Sequence, residues 1–512
     1  MNDERFDGLE ATQLDEFLDT RPHSRQVAWQ RREFNGFVHF GPNTFTDRAW
    51  GTGTEDPDVF APAGFDPEQW ARTAVNAGMS SLVLTVKHHD GFCLWPSRYT
   101  DHSVAESDWR NGDGDVVREV ADACAAHDLR FGLYLSPADL HEAVTDGGRY
   151  GNGSERRERT IPIPVDGADP AVDDRQFTYT VDEYNAYFLN QLYELLTKYG
   201  PVHQVWFDDA HPEETQGDAQ TYQTSAWYDL VRSLAPEAVI SINGPDVRWC
   251  GNEAGATRDA EWSPVPVPPE ADSVTDAEYD LQDPDFPDDS LLAAADDFAW
   301  WPAETDTTIR PDWFYHSEKD PQFDLKELLD LWYRTVGGNA VLLLNLAPDT
   351  RGRVPERDVE LLETMGEMLG ETFETDLARE ATATTAERGD HPHGDPAAVL
   401  KANRDTYWTP GGDATKESVT VGLPEARTID RIVVQEAIEH RGQRITGISV
   451  DADVDGGWSE LGREQTVGYK RIFRVDPVET DVIRVRITGA LAPPAVSRIA
   501  CYRRSPAERT LE

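Results

Sequence analysis

The sequence runs to 512 residues, too many for one hydrophobic core, so two or three domains are expected. Hydrophobic residues at 39% with 10% aromatics suffice for buried cores, which excludes a chain disordered throughout. Ninety-five acidic against 47 basic residues, a net charge of −48, exclude nucleic acid and anionic membrane surfaces as partners, because like charges repel.

Only seven of the cations are lysines (Lys87, Lys198, Lys319, Lys326, Lys401, Lys416 and Lys470). The acidic residues are dispersed rather than gathered in a tail. A lysine-poor acidic coat of this kind resembles adaptation to molar salt, where a Debye length of about 3 Å at about 1 M screens self-repulsion.

The N-terminus, Met1-Asn2-Asp3-Glu4-Arg5, leads into no apolar h-region, and no stretch approaches the length of a membrane span, so a cytoplasmic protein is expected. From Phe37 to about Leu346, short apolar runs alternate with helical periods. Strands are predicted at Phe37–Phe40, Ser81–Val86, Leu129–Leu135, Val202–Phe207, Val239–Ile242 and Ala340–Leu344. Amphipathic helices are predicted at Asp115–His127, Tyr184–Tyr199, Thr221–Leu234 and Leu325–Val336. Strands apolar on both faces, alternating with helices over some 310 residues, predict a (β/α)8-like TIM barrel. No GxGxxG or P-loop follows a strand, which argues against nucleotide binding.

Two inserts break this rhythm: residues 142–180, polar and Gly-rich, and residues 263–297, rich in Pro, Asp and Glu. Loops of this length either shape a substrate site or form a solvated acidic excursion. After a helix near Val354–Leu369 come short alternating strands at Ser418–Val421, Ile429–Gln435, Arg444–Asp451, Tyr469–Val475 and Asp481–Thr488. These predict a C-terminal β-sandwich. The expected division is a catalytic barrel over 1–370 and a sandwich over 371–512. Asn403, Tyr407, Trp408 and Arg441 are residue types that a shallow sugar site uses. Ile432, Val434 and Val450 favour a packing role instead, with Trp408 capping the core.

Barrel enzymes carry their chemistry just beyond the C-terminal ends of strands. Those positions hold His39, then Lys87-His88-His89-Asp90-Gly91, Tyr134-Leu135-Ser136, Trp206-Phe207-Asp208-Asp209, and Asn243-Gly244-Pro245-Asp246. Trp249-Cys250-Gly251-Asn252-Glu253 follows, then Trp300-Trp301-Pro302-Ala303-Glu304 and Asn345. Aromatic, His, Asp and Glu side chains on one rim point to sugar chemistry, with rings stacking on pyranose faces and two carboxylates cleaving the glycosidic bond. A metal hydrolase is the weaker reading. His88 and His89 are neighbours, so an extended strand aims them to opposite faces. The four cysteines (Cys93, Cys124, Cys250 and Cys501) have neither disulfide-framework nor zinc-ligand spacing.

Three runs carry a family resemblance: Phe37-Val38-His39-Phe40-Gly41-Pro42-Asn43-Thr44-Phe45, Lys87-His88-His89-Asp90-Gly91-Phe92-Cys93-Leu94-Trp95-Pro96 and Phe131-Gly132-Leu133-Tyr134-Leu135-Ser136. Together with Trp206-Phe207-Asp208 they resemble the α-L-fucosidases of glycoside hydrolase family 29, over about residues 30–350. The Trp249–Glu253 stretch, with Pro42-Asn43 after the first histidine, is similar to the subgroup that prefers α-1,3/1,4-linked fucose. The resemblance implies a retaining enzyme acting on a fucosylated oligosaccharide, with no metal and no cofactor. It makes Asp208 the nucleophile and Glu253 the acid/base; Glu304, which follows an apparent strand end after two tryptophans, is the runner-up for the acid/base role. His39, Trp50, His88, His89, Tyr134 and Trp206 would hold fucose.

Two positions depart from the family pattern. Ala49 stands where a sugar-binding glutamate is usual, leaving Glu55 as a candidate substitute. Asp209 stands where a glycine is usual, and its charge is expected to raise the pKa of Asp208. These departures keep two alternatives open: a catalytically weakened fucose-binding protein, and a related retaining glycosidase with a different sugar preference.

Overall fold

A computed structural model describes residues 4–6, 8–165, 173–212, 219–242, 244–386, 389–403 and 405–511. Eight parallel strands form the barrel: β1 (Phe34–Val38), β2 (Ser81–Lys87), β3 (Arg130–Leu135), β6 (Gln204–Phe207), β7 (Val239–Ile242), β8 (Arg248–Trp249), β11 (Ala303–Thr308) and β12 (Ala340–Leu346). Between them in sequence lie two antiparallel ribbons, β4 (Arg157–Ile161) with β5 (Phe177–Val181), and β9 (Pro264–Val267) with β10 (Asp297–Trp300). The barrel strands pair in the order β7-β6-β3-β2-β1-β12-β11-β8. A parallel bridge from Ser241 to Val247 joins the two ends of that row.

Aspartates start several of the surrounding helices. Asp66, Asp115, Asp182 and Asp324 each accept a backbone N–H three residues on, at the heads of Pro67–Asn76, Val116–Ala126, Glu183–Lys198 and Leu325–Val336. Such caps contribute about 1 kcal/mol apiece, so part of the chain's acidity is built into its helix starts. Among the described residues no helix is long and apolar enough to cross a membrane.

The sequence pattern misses the short β8 and misplaces another barrel strand. Trp300 ends β10, which pairs with β9 outside the barrel, and the barrel strand is β11, which begins at Ala303. Glu304 therefore sits inside the barrel body, not at the rim. The Ala-Glu-Thr-Asp-Thr-Thr composition of β11 hides it from any search for apolar runs.

Beyond the helix Glu356–Phe373 lie β13 (Thr382–Thr384), β14 (Glu417–Glu436), β15 (Ile445–Val454), β16 (Gly457–Glu464), β17 (Arg471–Ala490) and β18 (Val496–Tyr502). The sequence predicts two strands in each of the regions taken by β14 and β17. In the structure each is one bent 20-residue strand, and their pairing shifts register between Gly422 and Arg427. The bend folds both halves of β14 onto one core, in which Val419 and Val421 meet Ile432 and Val434. That is how one hydrogen-bonded sheet makes the two layers of a β-sandwich.

Polar side chains stitch the sandwich to the barrel. Gln443 Nε2 donates to the Glu261 carbonyl at 3.0 Å, and its Oε1 accepts from Ser263 N–H at 2.9 Å. Asn339 Oδ1 accepts from Tyr469 N–H at 2.7 Å. Trp408 is fully buried in the sandwich core, and Tyr407 is 5% exposed, stacked on His393 with its hydroxyl accepting from Arg441. Neither ring offers a free face for a sugar. Asn403 lies instead along a cleft with Arg31 and Trp332, beneath the barrel floor.

Candidate active site

Side chains alternate across a strand, so Gln204, Trp206 and Asp208 form one inward file along and just beyond β6. Trp206 belongs to an interior layer with Phe37, Val83, Tyr134 and Leu343. Asp208 stands above that layer. Its Oδ2 accepts the Tyr134 hydroxyl at 2.9 Å, and its Oδ1 accepts the Ala210 N–H at 3.0 Å. Burial pushes its carboxyl above the usual aspartate value, opposed by those two hydrogen bonds and by the Asp209 N–H. The expected like-charge effect runs the other way: Asp208 contributes to raising Asp209, after burial and against nearby His211. Asp209 is exposed, and its backbone stabilises the Asp208 carboxylate.

β2 ends at Lys87. The chain turns there, so His88 and His89 do not face opposite ways as an extended strand would require. Their rings lie side by side, centroids 4.1 Å apart. Behind them Lys87, fully buried, bonds Asp139 at 2.8 Å and Gln191 at 3.0 Å, which fixes the turn. Among the described residues no three His, Cys, Asp or Glu side chains converge as a metal ion would require.

The hydrogen bonds settle two tautomers. The Ser136 hydroxyl donates to the Ala138 carbonyl at 2.7 Å, so it must accept from His89 Nδ1, also at 2.7 Å. The Asn345 amide nitrogen donates to Thr308 and to the Trp313 carbonyl, so its oxygen accepts from His39 Nδ1 at 2.8 Å. Burial holds both rings neutral, lowering each pKa to about 3. Each therefore presents an unprotonated Nε2, that of His89 lying 3.7 Å from Asp208 Oδ2. Two acceptors facing each other at that distance suit a ligand hydroxyl placed beside them. His88 stacks along Tyr134 (centroids 5.6 Å), and its buried Nδ1 has no hydrogen-bond partner among the described residues. Trp50, 38% exposed, leans on His89 with centroids 4.1 Å apart. Glu55 is tied into the turn after Trp50, its Oε1 accepting the Thr52 N–H at 2.6 Å and hydroxyl at 2.8 Å.

Glu253 is exposed on the loop that follows β8. Its Oε2 accepts the Trp313 indole N–H at 3.3 Å, and the Trp313 ring lies 4.9 Å from His39. Asp208, Asp209, Glu253, Trp206, Trp249 and Asp306 line one cavity of about 640 Å³, walled on its outer side by residues 274–282 of the second insert. Glu304 is wholly buried below it. Its two oxygens accept from Gln204 Nε2 at 2.9 Å and Trp206 Nε1 at 3.1 Å.

Comparison with known proteins gives the family of this barrel. Residues 20–373 match the family model described as Alpha-L-fucosidase. The chain belongs to the α-L-fucosidase family. It is thus a glycoside hydrolase by family. Residues 380–500 match a second model, the F5/8 type C domain. Alpha-L-fucosidase 1 of Arabidopsis thaliana is 36% identical over 490 residues, covering 94% of this chain and 87% of the relative. The GH29 fucosidase E1_10125 of Ruminococcus gnavus in complex with fucose is 27% identical, with a TM-score of 0.77 and 96% of both chains covered. The crystal structure of SpGH29 is 32% identical with a TM-score of 0.78, covering 95% of this chain and 99% of that one.

Within this fucosidase-family barrel the sequence-derived site residues fall into one contiguous cluster. Contacts run from Trp50 through His89, His88 and His39 to Trp313 and Glu253, and through Tyr134 to Trp206 and Asp208. Asn243, at the rim in the sequence reading, lies outside the described residues. Trp313 and Asp306 escape the sequence reading. Both belong to the strand and loop that the missing apolar run conceals, and the aromatic run Trp313-Phe314-Tyr315 is the signal that marks the loop.

Proposed function

We propose that this chain is a retaining α-L-fucosidase that removes terminal fucose from α-1,3/1,4-linked branches, using Asp208 as nucleophile and Glu253 as acid/base. The observation that carries the reading is that both carboxylates line one 640 Å³ cavity, with Asp208 held by the Tyr134 hydroxyl. An Asp208 oxygen attacks the anomeric carbon as the glycosidic C–O bond breaks. Glu253 gives its proton to the departing oxygen. Water then attacks the glycosyl ester, Glu253 takes up the proton, and Asp208 leaves as carboxylate. The Nε2 acceptors of His39 and His89 and the buried Nδ1 of His88 hold sugar hydroxyls, and Trp50 and Trp206 supply ring faces.

Glu304 fits the acid/base role poorly, because both its oxygens are engaged below the cavity. The same reading divides the chain into a catalytic barrel over 1–370 and a sandwich over 371–512 whose role is packing. Proton NMR of an aryl α-L-fucoside during hydrolysis tests the mechanism. The first fucose released should keep the anomeric configuration of the substrate; inversion overturns the double displacement. A panel of fucosylated oligosaccharides tests the linkage, and faster release from α-1,2 than from α-1,3/1,4 branches overturns that assignment.

A further inference from the structure

Two carboxyls stand in file along β11. Residues 304 and 306 share a face of the strand, and both are inside the barrel, Glu304 fully buried and Asp306 3% exposed. A carboxyl in such a place is costly unless its hydrogen bonds are made, and here each is matched to an indole. Glu304 reaches across the lumen to Trp206 Nε1 at 3.1 Å, and Asp306 accepts from Trp249 Nε1 at 2.8 Å. These two tryptophans are not equivalent. Trp206 lies two residues before Asp208 on the same inward file. Trp249 lies four residues before Glu253 and opens the turn that carries it.

We propose that Glu304 and Asp306 are separate positioning residues for the two halves of the chemistry, Glu304 aligning the nucleophile through Trp206 and Asp306 aligning the acid/base through Trp249. The inference rests on the roles of Asp208 and Glu253 proposed above. Glu304 lies below the cavity and Asp306 lines it beside Trp249; each acts through an indole N–H. Burial pushes Glu304 up to about 7 and Asp306 well above the usual aspartate value. Neutral Asn is therefore a close mimic at 306, and Gln at 304 keeps the oxygen that accepts from Trp206 while giving up the one that accepts from Gln204.

The test separates the two tethers by leaving group. kcat/KM, which reports the first step, is measured for a 2,4-dinitrophenyl α-L-fucoside, which needs no proton, and for a phenyl α-L-fucoside, which does. Misplacing the acid by an ångström costs about 10- to 100-fold, so Asp306→Ala should lose that much on the phenyl substrate and under about threefold on the activated one. Trp249→Phe should reproduce the split, and Asp306→Asn should recover most of the loss. Glu304→Ala should slow both substrates alike, with Glu304→Gln recovering both. Equal losses on both substrates in Asp306→Ala, or an Asp306→Asn as impaired as the alanine, overturn the proposal. If either alanine variant does not fold, Trp249→Phe and the amide variants decide it by the same split. Glu253→Ala is run alongside. A leaving-group split there without one in the Asp306 and Trp249 variants sinks only the tether. No split in Glu253→Ala removes Glu253 as the acid, and this inference with it.

Discussion

Asp208 is surrounded by groups with distinct, separable effects. Replacing it with Gly should cost several powers of ten in rate, since the covalent route is lost, and external azide should restore part of the turnover. Near-native activity in Asp208→Gly together with a dead Asp209→Ala would transfer the nucleophile's role to the neighbour. The pH profile follows from the Tyr134 hydrogen bond. That bond favours the ionised carboxylate and so lowers its pKa. As the proposed nucleophile, Asp208 must be ionised to attack, so activity should fall on the acid side as it takes up a proton. Tyr134→Phe removes the stabilisation, raises the pKa and should move the acid limb of kcat/KM to higher pH. Asp209→Asn should leave that limb in place, because burial and not the Asp209 charge raises Asp208. A pH–rate series on the two variants checks both signs.

The loop after β8 matters most among the elements. Gly251 has a φ of 85°, and a Cβ there would lie 2.2 Å from the Leu281 carbonyl oxygen. The loop bearing Glu253 thus rests directly on the insert that walls the cavity. Alanine at 251 brings left-handed strain of about 1–2 kcal/mol as well as a backbone clash. Spent on displacing Glu253, strain of that order corresponds to about tenfold in rate. Gly251→Ala should therefore lower kcat/KM on poorly activated fucosides, and unchanged kinetics would mean that the loop yields elsewhere. β11 shows why the sequence is hard to read here. Strands such as β2 and β12 are legible because helices cover one face and the packed lumen fills the other, so nearly every residue is apolar. β11 carries two carboxyls because its inward face binds indoles rather than packing against methyl groups. Its β-branched Thr305, Thr307 and Thr308 are the remaining sign of a strand.

At the scale of the molecule, the net charge of −48 is largely a surface property. The sandwich meets the barrel through buried hydrogen bonds such as Gln443 to Glu261 and Asn339 to Tyr469. Removing residues 371–512 would leave those partners unsatisfied, and each buried polar group so stranded costs about 1–3 kcal/mol. The truncated barrel is expected to be insoluble; a soluble barrel with only weaker glycan affinity would make the sandwich a binding module instead. Salt should act on the whole chain. With molar salt screening the self-repulsion, the melting temperature should rise between low and molar potassium chloride. A melting temperature indifferent to salt would show that the acidic coat is no adaptation to brine.

The sequence by itself determined the barrel, the sandwich and most members of the candidate cluster. The period of apolar runs records burial directly, and His39, the His88-His89 pair, Tyr134 and Asp208 fall where strands end. Tertiary structure alone decided how those residues face one another. Only the turn after Lys87 brings His88 and His89 to one side, and only burial together with the Ser136 and Asn345 hydrogen bonds leaves His39 and His89 neutral with Nε2 free. The bends of β14 and β17, the position of β11 and the partnership of Trp313 with Glu253 also depend on contacts between residues far apart in the chain. A local pattern cannot carry such contacts, because the energy that fixes them lies in the partner.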